Sequence, residues 1–411
     1  MLPGIAALSP RLTFPFLTER LRQAMAFASA AVRDSLDGRE AWRERIGESL
    51  ILADKVPVEA ALLLLLAARV GAGGGEELAE MLDPLIRSDR NRMLMARLPR
   101  TVAFFGMGHL ALTCAGRPDA EFDEVVRAAF RDGLADAWEK PPNRQMELQW
   151  LRAQLFDERV SMSEAIRASI LSSNAHPILM SSRDAYAVTH AIMYASDFGR
   201  DASAIPDGAA ALVDACIAEQ LLEEDFDLLA ELLLCASALG RPWSRHARCA
   251  WAILDGVWSE YGFLPTRSAA SQDFASLDER ERTSYVFRHT YHTTLMGGDL
   301  CALLLRHPEQ GGEEPPAVPH ILWKQVRPRL DEHDANVETL NYLRNVPKDD
   351  VTGPVLDALL IRVSRKFDLA ALGELAAYCD GLGHRSPTVE AVRALIRRTA
   401  SARSPATPGP Q

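Results

Sequence analysis

Four times this chain runs an apolar helical stretch rich in small residues into glycine, then a basic residue. The segments are HLALTCAGR ending at Arg117, YASDFGR ending at Arg200, LCASALGR ending at Arg241 and YCDGLGH ending at His384. Glycine accepts the left-handed conformation that closes a helix, and a cation there complements the negative end of the helix dipole. The glycines stand at 116, 199, 240 and 383, at intervals of 83, 41 and 143 residues. These are roughly multiples of a unit of about 41 to 48 residues, the length of one helix pair. A single pair cannot bury its own apolar face, so pairs must stack or close into a ring. Taken alone, Gly-Arg is also ordinary helix-stop chemistry, which would leave the intervals accidental.

Composition agrees with helix throughout. Ala and Leu are abundant, β-branched runs are rare and aromatic residues make up 7%, which favours helix over strand. The expected fold class is therefore all-α, with helix-pair repeats forming an (α/α) toroid or partial ring. We expect a helical N-terminal region over residues 1–140, the toroid-like domain over 141–400, and a tail over 401–411 too poor in apolar residues to fold. The formal charge of -11 argues against nucleic acid, which requires a basic surface. The most apolar window, Ala60–Ala68, is too short to span a bilayer, so no membrane partner is expected. The six cysteines form no C-x-x-C and read as buried thiols of a cytoplasmic protein. GAGGG at 71–75 lacks the preceding strand and the following Lys-Ser/Thr of a phosphate loop, and reads as a helix stop.

The stretch most suggestive of chemistry is Ser181–Asp201. Ser181 and Asp184 are spaced for a capping box and Gly199 for a stop. Between them Tyr186, His190, Tyr194 and Asp197 recur every three to four residues and share one helix face. A second stripe, Tyr285, His289, His292, Met296, Asp299, repeats the Tyr-to-His gap of four and the His-to-Asp gap of seven. Buried polar groups cost about 1–3 kcal/mol each unless bonded, so these faces need partners or a solvent-filled cavity. His190 and His292 are candidate acid/base groups, because imidazole titrates near neutrality. Asp197 is a third candidate catalytic group, sharing the face at ~10 Å from His190. Tyr186, Tyr194, Arg288, His289 and Asp299 are candidate substrate-binding groups. Each also has a bland reading, as a satisfied core or surface side chain.

No metal or cofactor is expected. His289 and His292 could share zinc only with a third ligand. The acidic run Glu223, Glu224, Asp225, Asp227 could hold magnesium, but reads better as a helix junction whose Asp225 or Asp227 caps the next helix. No nucleophile elbow, Walker loop, Rossmann fingerprint or HExxH occurs.

Paired helices of this period with polar inner faces resemble the (α/α) toroids, among them terpenoid cyclases, protein prenyltransferase β-subunits, lanthionine cyclases and some glycosidases. THAIMYASDFG at 189–199 and HTYHTT at 289–294 most resemble an uncharacterised bacterial all-helical family, over about residues 140–385. That resemblance implies a fold and no activity. The DDxxD and DxDD motifs of terpenoid cyclases and the zinc-binding Cys-His sets of the other families are missing. The expected function is an enzyme acting on a small-molecule substrate by acid/base chemistry: a cyclase, lyase or isomerase, for instance in secondary-metabolite biosynthesis. The alternative is a helical-repeat scaffold for a protein partner or a second copy of itself.

Overall fold

The computed structural model describes residues 12–46, 54–158, 160–266, 277–307 and 352–403. Among these, every regular element is helical. In chain order the helices are α1 (Phe14–Asp37), α2 (Arg39–Ile46), α3 (Lys55–Arg69), α4 (Glu76–Ile86), α5 (Asp89–Arg97), α6 (Val102–Cys114), α7 (Ala120–Phe130), α8 (Pro142–Phe156) and α9 (Ser163–Ala168). They continue as α10 (Ser182–Ala195), α11 (Ala209–Glu223), α12 (Phe226–Ala238), α13 (Arg245–Tyr261), α14 (Glu279–Arg306), α15 (Thr352–Arg365), α16 (Leu369–Gly381) and α17 (Pro387–Arg403). None is long and apolar enough to cross a membrane. The stretches 319–330 and 334–344, whose apolar spacing predicts two further helices, lie outside the described residues.

Six helices form a closed cycle. α3 packs on α6, α6 on α8, α8 on α10, α10 on α12, α12 on α14, and α14 returns to α3. Outer helices cover the seams: α1 lies along α14 and α3, α4 along α3 and α6, and α11 and α13 flank α12. Inner helices α3 and α12 are apolar around most of their girth, as helices buried on every side must be, whereas α8 buries only Met146, Leu148, Trp150 and Leu151. In α3 the whole run from Ala60 to Ala67 is buried, at ~1.5–3 kcal/mol for each large aliphatic side chain.

The repeat seen in the sequence is the stop of the inner helix. Gly71, Gly116, Gly199 and Gly240 follow α3, α6, α10 and α12, all with positive φ. The long first interval hides one more stop, Asp157 after α8, also left-handed at φ 51°. Asp tolerates that conformation better than most residues, so the repeat continues without its glycine. Gly383 ends α16, outside the ring.

The seam that closes the ring needs two further glycines. A Cβ on Gly298 would lie 2.6 Å from the Ala24 Cβ and 2.8 Å from the Leu63 Cδ1, and one on Gly297 would lie 2.6 Å from the Leu264 Cδ1. Only glycine lets α14 approach α1 and α3 on one side and α13 on the other.

The ring takes helices from both sides of residue 140: α3 and α6 precede it, and α8, α10, α12 and α14 follow. The ring and its outer layer run from α1 to α14. α15, α16 and α17 pack outside, through α15 against α11 and α13. Their anchor is Asp357, which accepts from His246 Nε2 at 3.0 Å, His384 Nε2 at 2.8 Å and Ser386 Oγ at 2.6 Å. α17 continues to Arg403, through the first three residues of the stretch expected not to fold; residues 404–411 lie outside the described residues.

Candidate active site

A cavity of about 880 Å³ opens inside the ring and is lined by all six inner helices. α3, α6, α8 and α12 contribute their first two turns, α10 most of its length, and α14 its middle. Helix N-termini carry partial positive charge, and carboxylates gather there. Glu59, Glu147, Asp184, Asp227 and Glu231 face the cavity, against Lys55, Arg144 and Arg183. Phe104, Met193, Phe198 and Met296 supply apolar wall.

His292 is the centre of the polar floor. Its Nδ1 lies 3.1 Å from Glu59 Oε2, and its Nε2 lies 3.4 Å from Glu231 Oε1 and 3.7 Å from Asp227 Oδ1. Hydroxyls hold the carboxylates in place. Tyr186 donates to Asp227 Oδ2 at 2.9 Å, Thr293 to Asp227 Oδ1 at 3.0 Å, and Thr189 to Glu231 Oε2 at 2.5 Å. Burial disfavours the imidazolium, but the charges of Asp227 and Glu59 outweigh it and keep His292 protonated well above its usual range. Burial also opposes ionisation of Glu59, yet the His292 charge brings its carboxyl down to about 2. Asp227, by contrast, is raised by burial.

His190 lines the same cavity one inner helix away. Its ring packs edge-on to Tyr194, with centroids 6.0 Å apart. Its Nδ1 is buried without a hydrogen-bond partner among the described residues. Burial lowers its pKa and leaves it a neutral imidazole. The two histidine stripes thus converge on one cavity, with opposite protonation.

The other expected site residues divide. Tyr186 lines the cavity, but its hydroxyl serves Asp227. Tyr194 forms wall and donates to Glu147 at 3.2 Å, which Arg144 also engages at 2.7 Å. Asp197 is not a cavity residue. The chain turns left-handed at Asp197, Phe198 and Gly199, with φ 48°, 51° and 77°, so α10 ends before Asp197 and its carboxylate leaves the histidine face. There it accepts from the Trp150 indole at 2.7 Å and Arg69 at 2.9 Å, tying the ends of three ring helices together. Arg288 and His289 are half-buried and are not among the described lining residues. They lie in the part of α14 before the floor, where His289 stacks on Tyr285 with centroids 4.1 Å apart. It cannot share a ligand with His292 in that position. Asp299 is fully buried, with both oxygens unpartnered, and burial holds its carboxyl well above the usual range. It too is not among the lining residues.

Sequence reasoning missed Glu59, Glu231, Glu147 and Arg144, and took Asp227 for a possible cap. The cap is Asp225, which accepts from the Leu228 amide at 3.2 Å. The available signal was a lone acid inside an apolar helix: Glu59 in VPVEAALLLLL, and the i, i+4 pair Asp227 and Glu231 in DLLAELLL.

No curated protein and no solved structure matches this chain. One family model does, over residues 21–302, a span that starts within α1 and ends within α14 and so takes in the ring. The chain belongs to the family described as a domain of unknown function, DUF6895.

Proposed function

We propose that the ring houses the active site of an enzyme that moves protons on a small, polar organic substrate, as a cyclase, lyase or isomerase does. The observation that carries this reading is His190 Nδ1: a buried ring nitrogen of a neutral imidazole, without a partner, on the wall of a cavity large enough for a substrate. Such a nitrogen costs about 1–3 kcal/mol to leave unsatisfied, a cost that a substrate hydrogen bond would recover. His190 serves as the base. The floor of Glu59, Asp227, Glu231 and His292 orients the substrate and stabilises charge that develops as the proton leaves. Pairs of groups whose surroundings push their pKa values apart are the usual mark of an acid/base assignment. The apolar wall excludes water from the reacting atoms.

The test is metabolite profiling with an extract of small molecules. Wild type and His190→Gln are incubated separately, and consumed and formed masses are compared. At least one conversion by wild type, absent with the variant, is expected. No conversion by either, or equal conversion by both, would sink the reading.

A further inference from the structure

The floor has a geometry that an ion-pair network does not explain. Charge-assisted N–H···O bonds settle at about 2.7–2.9 Å. His292 Nε2 instead stands 3.4 Å from Glu231 Oε1 and 3.7 Å from Asp227 Oδ1. Donor atoms on a shared tetrahedral ion with bonds of ~2.1 Å lie ~3.4 Å apart. One donor atom from each of the three residues falls within 4.8 Å of the others.

The surroundings support the same assignment. Both oxygens of Asp227 accept from hydroxyls, Oδ2 from Tyr186 and Oδ1 from Thr293, and Glu231 Oε2 accepts from Thr189. Asp227 Oδ1 keeps a second lone pair, and Glu231 Oε1 lies 3.4 Å from His292 Nε2. On the far side of the imidazole, Glu59 Oε2 lies 3.1 Å from Nδ1. The contact is close but not aligned as a hydrogen bond; a carboxylate beside the distal nitrogen is the kind of partner that orients a metal-binding histidine. Finally, the buried, partnerless Nδ1 of His190 lines the cavity beside this cluster.

From this we infer that Asp227, Glu231 and His292 bind one divalent first-row metal ion, zinc or manganese, with Glu59 positioning the histidine. Two oxygens and one nitrogen suit such ions. Three protein ligands at the floor of an open cavity leave a coordination position for substrate or water, the pattern of a catalytic rather than a structural ion. The inference shares the cavity with the proposed function but not the base.

The experiment is calorimetric titration of the full chain with Zn²⁺ and with Mn²⁺, after treatment with a chelator. One ion per chain is expected. Asp227→Asn and Glu231→Gln should abolish saturable binding. Glu59→Gln should weaken it ~10–100-fold. His190→Gln should leave it within about twofold, because that residue is a base and not a ligand. Circular dichroism verifies folding of each variant. If the ligand variants do not fold, wild type and Glu59→Gln decide. Absence of saturable binding by wild type for both ions, or equal affinity in every folded variant, overturns the metal site. Neither result touches the conversion lost in His190→Gln, so the two proposals fail separately.

Discussion

Replacing Asp357 with asparagine tests whether one carboxylate holds the last three helices to the ring. The side chain is 2% exposed and accepts three hydrogen bonds, two from the imidazoles of His246 and His384 and one from Ser386. Burial alone would raise its pKa, but the bonds from His246 and His384 bring it from an ordinary 3.8 down to about 2. A fall of that size corresponds to roughly 2.4 kcal/mol of folding stability at pH 7. Folding lowers this pKa, so the contribution is complete above 3.8 and is lost as the pH falls through about 2. At pH 3 about half should remain. With an unfolding entropy of ~2.1 cal/mol/K per residue, a cooperative chain of this length should lose ~3 °C in Tm. The assay is thermal unfolding followed by circular dichroism, wild type beside Asp357→Asn, at pH 7, 5 and 3. A Tm difference below about 1 °C at pH 7, or one that does not shrink by pH 3, would refute the reasoning.

Other substitutions probe the ring. Gly298→Val should cost at least about 1–3 kcal/mol by overpacking against Ala24 and Leu63, read as a lower urea midpoint. Gly373→Ala, in α16 with nothing within 4 Å of the added carbon, should stabilise by about 0.5–1 kcal/mol. Asp197→Ala should cost about 1–3 kcal/mol, because Arg69 and the Trp150 indole lose their acceptor. It should leave zinc affinity unchanged, and a change there would return Asp197 to the site. Tyr186→Phe removes one donor to Asp227 and should weaken zinc by roughly threefold to tenfold in the same calorimetric titration.

The helical architecture was legible because helix stops are local chemistry. Glycines 116, 199 and 240 mark ring helices, and their spacing follows from backbone conformation alone. The stop at Asp157 was hidden because a left-handed aspartate looks like any surface acid in a sequence. Ring closure was illegible for another reason. It depends on Gly298 meeting Ala24 and Leu63, a long-range fit without a local signature. In the site, the histidine stripes were found because polar residues at helical spacing stand out. His190 and His292 do share a cavity, whereas Asp197 continued the stripe only on paper, since periodicity cannot show where a helix ends. The acids Glu59 and Glu231 belong to no histidine stripe of their own helices. Their meaning comes from a histidine on another helix.

The seam between α14 and α3 also sets a schedule for biosynthesis. Leu63 leaves the ribosome some 235 residues before Gly298, its partner across the seam. At ~5–20 residues per second, that side of α3 stays uncovered for roughly 12 to 47 s. Closing so long a loop adds little in free energy, since each doubling of length costs only about 0.6 kcal/mol. The burden is kinetic. The nascent chain carries an open arc of helices whose two ends are both apolar and both unpartnered. A second arc from a neighbouring ribosome would offer the same complementary ends, the situation in which helix exchange between chains arises; a dimer fraction that rises with expression rate, read by size-exclusion chromatography, is the expected sign.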